Sequence, residues 1–122
     1  MGKPVEFADV VARVEEFGPL ATLVTVGDSG APHVGTVQVS VDGDRLAIEV
    51  GPTTRGNVVA RPAVSLAWLG GHDYQLIVDG TATAGDQTAD GLYPISIEVA
   101  QAILHRRADR PDAGPSCVAL RA

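Results

Sequence analysis

The spacing of apolar positions changes along the chain, and each change marks an element. Phe7, Val10, Val11, Val14 and Phe17 recur at three- and four-residue intervals, which is the spacing of one helix face. Gly18 and Pro19 stop that helix, since glycine accepts the left-handed conformation at a helix end and proline cannot extend one. Residues 20–26, L-A-T-L-V-T-V, are β-branched and apolar on both faces, which predicts a central strand rather than an edge. G-D-S-G at 27–30 reverses the chain. Over residues 33–41, Val37, Val39 and Val41 alternate with Thr36, Gln38 and Ser40, giving a core face and a polar one. Asp42-Gly43 is a hairpin signal that leads into Leu46, Ile48 and Val50, so the three strands form a meander.

The second half alternates again. Val64, Leu66 and Trp68 form a bulky face against the thin face of Ala63, Ser65 and Ala67, and Gly70 and Gly71 close the run. Tyr74, Leu76 and Val78 follow, and Gly80 before T-A-T-A predicts a bulge or bend at a barrel corner. Residues 86–91 are polar and turn-like, after which Ile95, Ile97 and Val99 alternate. Residues 99–107 fit either a strand or a helical turn, with strand the preferred reading. Residues 110–115 form a loop and 117–120 a last short strand. Together these predict a mainly β chain with flanking helices. The architecture is a small barrel of about six or seven antiparallel strands, with an N-terminal helix and a short helix in a crossover. Closure of such a barrel hides its strand edges.

That short helix falls within residues 50–62, V-G-P-T-T-R-G-N-V-V-A-R-P, between two strands. Gly51 and Pro52 end the first strand, Thr53 and Thr54 offer hydroxyls where a helix wants its N-cap, and Arg55 adds a fixed charge beside unpartnered backbone N–H groups. Two readings stand. In one the corner binds an anion such as a phosphate, using hydroxyl, guanidinium and amide donors at the favourable end of a helix dipole. In the other Thr54 only caps a turn and Arg55 is solvated.

Composition narrows the function classes. A chain of 122 residues fits one domain spanning 1–122. A net charge of -6 argues against nucleic acid and against an anionic membrane surface, both of which require a basic face. Acidic residues stand where a signal peptide would carry its apolar core, and no apolar run approaches a membrane span, so a cytoplasmic location is expected. The lone cysteine, Cys117, excludes an internal disulfide and reads as a buried inert thiol. His33, His72 and His105 lie far apart without metal-ligand spacing, and no nucleophile-elbow pattern is present. Neither a metal nor a catalytic acid, base or nucleophile is therefore nominated.

At this point the order of motifs matters. An N-terminal helix is followed by G-P-L-A-T-L-V-T-V, G-x-P-x-V, D-G-D-x-L, T-x-R-G-N-V-V-A-R-P-A-V-S-L-A-W and V-D-G-T-A. From residue 5 to about residue 86 this order resembles the pyridoxamine 5′-phosphate oxidase-like, FMN-binding split β-barrel family of flavin and deazaflavin oxidoreductases. The resemblance implies a homodimer with a flavin in each of two grooves between subunits, the phosphate held by the loop and short helix after the third strand. Many members carry Ser/Thr-x-Lys-x-x-Asn-Leu there, ending in Asn/Asp-Pro. Asn57, Val58 and Pro62 match, whereas Pro52 replaces the hydroxyl residue and Thr54 the lysine. Arg55, one residue over, with Thr53 and Thr54, then forms a shifted version of the phosphate site. Val34, Gly35, Thr36 and Val37 resemble the strand edge that lies against the flavin ring. Gly35 would permit that close approach, or serve packing.

The cofactor-binding set implied by the resemblance is Val34, Gly35, Thr36, Val37, Val50, Gly51, Thr53, Thr54, Arg55 and Asn57. Trp68 and Tyr74 are candidate aromatic neighbours of the ring or plain core. The basic cluster of His105, Arg106, Arg107 and Arg110 is a solvated strand end, or reaches across a dimer to the cofactor's charged tail or to an anionic substrate. The expected function is FMN-dependent hydride or electron transfer to a small organic substrate. A deazaflavin coenzyme is the alternative cofactor. Outside the enzymes, the alternative is a flavin or haem carrier without turnover, or a cofactor-free structural dimer.

Overall fold

The computed structural model describes residues 6–70, 73–106 and 117–120, without the side chain of Cys117. Expectations for Gly71, His72, Arg107, the 110–115 loop and the Cys117 thiol lie outside the described residues.

Helix α1 (Phe7–Phe17) is followed by strands β1 (Leu20–Val26), β2 (Pro32–Gln38), β3 (Ser40–Asp42) and β4 (Arg45–Val50). Helix α2 (Pro52–Ala60) connects to β5 (Ala63–Trp68), and then come β6 (Tyr74–Ala84), β7 (Tyr93–Arg106) and β8 (Cys117–Ala119). All pairings are antiparallel, in the order β2-β1-β5-β6-β7-β4-β3, with β8 on β7. The first and last strands of that order are consecutive in the chain. Residues 32–38 pair with β1 and residues 40–42 with β4, so one run of chain changes partner at Val39, whose N–H donates to the Pro19 carbonyl at 2.7 Å. The barrel is thus closed by a bent strand and split along β2, which carries a neighbour on one side alone. Counted as one run, β2 and β3 make the seven strands expected, and the predicted meander is divided between the two sheet borders.

Alternation decides what is buried. Leu46, Leu66, Leu76, Val78, Ile95 and Ile97 are all at or below 1% exposed and come from the inward positions of β4 to β7. Val10 and Val14 of α1 close one end of that core, each such burial contributing roughly 1.5–3 kcal/mol. β1 lies between β2 and β5, as its two apolar faces predict. β7 runs unbroken to Arg106, which resolves the ambiguity after residue 99 in favour of a strand, since β6 pairs with it along its length. The bend at Gly80 is real: register shifts between Asp79 and Gly80, where a Cβ would stand 2.5 Å from the Glu98 carbonyl oxygen.

One expectation is corrected and one open reading is decided. Val41, expected to be core with Val39, is 45% exposed: it pairs with buried Leu46 and so shares that sheet face, but β3 ends the strand order and among the described residues no further strand covers it. Trp68 takes the core reading of the two left open for it: it is buried, and its indole N–H donates to the Gly18 carbonyl at 2.8 Å, tying β5 to the end of α1.

Candidate functional site

Helix α2 begins two or three residues earlier than a threonine cap would place it. Gly51 is the N-cap, with no side-chain capping bond, and Pro52 opens the helix. Proline suits that position because its fixed φ is helical and its missing N–H would have no partner there. The N-cap role foreseen for Thr53 and Thr54 is therefore corrected: both lie inside the first turn. The first helical bond runs from the Arg55 N–H to the Gly51 carbonyl at 3.0 Å. This leaves the N–H groups of Thr53 and Thr54 without a partner in the helix, next to the Thr54 hydroxyl.

Side chains along its length fix the helix on the barrel. The Asn57 amide donates to the Thr25 hydroxyl at 3.2 Å in the interior, and Val58 is 1% exposed. Arg61 donates to the Val26 carbonyl at 2.7 Å and pairs with Asp28 at 2.8 Å, locking the end of α2 to the β1–β2 turn. At the front, the Arg55 guanidinium lies 5.2 Å from the centre of the Tyr93 ring.

Between this helix start and the free border of β2 lies a groove of about 150 Å³. It is lined by Gly35, Thr36 and Val37 from β2 and by Val50, Gly51 and Thr54 from β4 and α2, six of the ten residues nominated from sequence. The other four are placed differently. Val34 is 61% exposed and shares the outer sheet face with Val24, Thr53 and Arg55 stand exposed on the helix, and Asn57 points inward to Thr25. Neither Gly35 nor Gly51 has any atom within 4 Å of where a Cβ would be, so the space before both is open. Among the described residues nothing packs on Gly35 where a Cβ would stand, so the packing explanation finds no support there.

Leu23, His33, Glu49 and Leu92 complete the lining and were not foreseen. Glu49 and Leu92 also border an adjoining groove of about 530 Å³ with Gln38, Val39, Ser40 and Ile48. Leu92 is carried by a loop that Asp90 braces by accepting from the Thr88 hydroxyl and, at 3.1 Å, from the Leu92 N–H. Those donors, Thr88 first, hold the Asp90 carboxyl below the usual carboxylate range. Tyr74 stands with Phe17 and Leu104 around a separate cavity. His105 and Arg106 end β7 opposite Gln75 and Tyr74, about 40 Å along the strand from Tyr93. Among the described residues no three His, Cys, Asp or Glu side chains gather as a metal site, and no helix is long and apolar enough to cross a membrane.

No family model matches this sequence, and no curated protein does. Solved structures do. A Listeria innocua protein assigned as a pyridoxamine 5′-phosphate oxidase superposes with a TM-score of 0.67 at 16% identity, over 81% of this chain and 98% of its own. An F420 reductase gives 0.58 at 21% identity, over 69% and 89%. HutZ, the heme storage protein of Vibrio cholerae, gives 0.59 at 13% identity, over 74% and 89%. Identities this low establish shared fold alone: the chain has the split β-barrel of pyridoxamine 5′-phosphate oxidase-like proteins.

Proposed function

We propose that this chain binds FMN in the groove between β2 and the start of α2, as half of a homodimeric site, and acts as a flavin-dependent oxidoreductase. One observation carries the reading. The free border of β2 and the open helix start line one cavity whose two glycines leave both backbones open to close approach by a flat ring and its phosphate arm. The Thr53 and Thr54 N–H groups, the Thr54 hydroxyl and Arg55 are the donors for the phosphate. The unpaired backbone groups along residues 34–37 of β2 are donors and acceptors for the ring edge. A bound flavin supplies the hydride or electron transfer, and the protein supplies orientation, polarity and exclusion of water.

The phosphate corner is one part of the binding. A charge-assisted bond from Arg55 contributes about 1.5–3 kcal/mol and the helix end about 0.3–1 kcal/mol, against roughly 8 kcal/mol for micromolar affinity. Burial of the ring must supply the rest. FMN is favoured over a deazaflavin coenzyme with its longer anionic tail, because the adjoining groove is bordered by Glu49 and by no lysine or arginine among the described residues.

His33 supports a second reading. An imidazole in the same groove, on a fold shared with a heme storage protein, suits a haem carrier. Titration of the purified protein with FMN, deazaflavin and haemin, followed by absorbance, separates the readings. Saturable micromolar uptake of FMN that weakens tenfold or more in Arg55→Ala is the expected result. A colourless protein that takes up no flavin would sink the proposal, and a Soret band lost in His33→Ala would replace it.

A further inference from the structure

In an acidic chain the arginines are drawn to carboxylates, and most of those described here follow suit. Arg13 pairs with Glu16 at 3.0 Å, Arg45 with Glu98 at 2.9 Å and Arg61 with Asp28 at 2.8 Å. Arg55 differs. Among the described residues it meets no carboxylate, and its guanidinium lies over the ring of Tyr93 instead. The two kinds of partner leave different remainders. A carboxylate neutralises a guanidinium and takes up its N–H donors, whereas an aromatic face attracts the charge and accepts none of the in-plane donors. An arginine held on a ring is located and still available to an anion.

The sheet fixes where that ring stands. Tyr93 is the first residue of β7 and pairs with Val50, the residue that leads through Gly51 into α2. Its neighbour Leu92 lines the groove together with Thr54. The ring therefore rises beside the helix start, and Arg55, one turn into the helix, rests on it.

We infer that Tyr93 is a positioning residue of the anion corner, holding the Arg55 guanidinium at the rim of the groove with its charge and its donors uncommitted. The inference rests on the reading of the groove as a phosphate site. It also accounts for a basic residue one place out of register with the family's lysine: the aromatic that holds it is supplied by another strand.

The test compares FMN with riboflavin, which has the same ring and no phosphate. Tyr93→Leu should weaken FMN binding about two- to fivefold, the range of an exposed cation–π contact, and leave riboflavin binding unchanged. Tyr93→Phe, which keeps the ring face, should bind FMN as the wild type does. In an Arg55→Ala background Tyr93→Leu should have no further effect. Equal weakening of both ligands by Tyr93→Leu, or an undiminished effect without Arg55, would overturn the positioning role. Tyr93→Val, a strand-compatible replacement, serves the same comparison where the leucine variant does not fold. Failure of the underlying reading looks different: Arg55→Ala would then leave FMN affinity unchanged, or the wild type would bind neither ligand.

Discussion

Gly35→Val separates the proposed role of β2 from its role in the fold, because the two respond in opposite directions. Gly35 has no positive φ, and an added Cβ would meet no atom within 4 Å, so a side chain starts there without backbone strain and into open space. Glycine in a strand interior is roughly 0.5–1 kcal/mol less favourable than alanine, and a β-branched residue suits a strand better still. The folded state should gain up to about 1 kcal/mol, a rise in Tm of a few degrees for a domain this size. The groove loses what the strand gains. Three added carbons, each near the roughly 30 Å³ of a water molecule, fill about 90 Å³ of a cavity of about 150 Å³. FMN affinity should fall at least tenfold while the apoprotein melts no lower than the wild type, read by fluorescence titration and calorimetry on one preparation. Undiminished FMN binding would mean that the ring does not lie along β2. A melting temperature several degrees lower would mean that Gly35 is packed against something in the native assembly.

Other sites give shorter tests. Asn57→Ala strands the Thr25 hydroxyl, which is 1% exposed, so stability should drop by about 1–3 kcal/mol in denaturant titrations. Riboflavin binding should weaken only as far as α2 loosens. Glu49→Gln removes a negative charge from the groove that would receive the phosphate; FMN affinity should rise about two- to threefold at low salt, and the gain should vanish as salt screens it.

The barrel was readable because its strands alternate so regularly that periodicity alone places the buried residues. Leu46, Ile48 and Val50, then Val64, Leu66 and Trp68, are core at the predicted positions. The candidate groove was readable in part, for a physical reason: it is made where one strand loses its neighbour, and local pattern does not say which side of β2 stays unpaired. Gly35 and Gly51 are visible as glycines, but that both open on one cavity follows from β2 and β4 meeting across the split. Tyr93 escaped notice because it falls between the turn at residues 86–91 and the alternation that begins at Ile95, and its value lies in a pairing with Val50 that no local window contains. Asn57 carries the opposite lesson. A motif match nominated it for the cofactor, and in this chain its amide is committed to Thr25.

The groove's size bears on whether one chain suffices. A cavity of about 150 Å³ is half or less of a typical small-molecule site of roughly 300–1,000 Å³. If the phosphate corner contributes about 2–4 kcal/mol of the roughly 8 needed for micromolar binding, ring burial must contribute about 4–6. That corresponds to roughly 160–240 Å² of apolar surface removed from water, more than an open groove on one chain covers. Around the split, Leu20 is 64%, Val34 61% and Val41 45% exposed, apolar residues that a second copy would cover. Val34 faces away from its own groove, so Val34→Asp should leave the groove of its own chain intact. Under the shared-site proposal it should convert the dimer to monomer in sedimentation and lower FMN affinity at least tenfold in the same variant. A monomeric Val34→Asp protein that binds FMN as tightly as the wild type would refute the shared groove and return the whole site to a single chain.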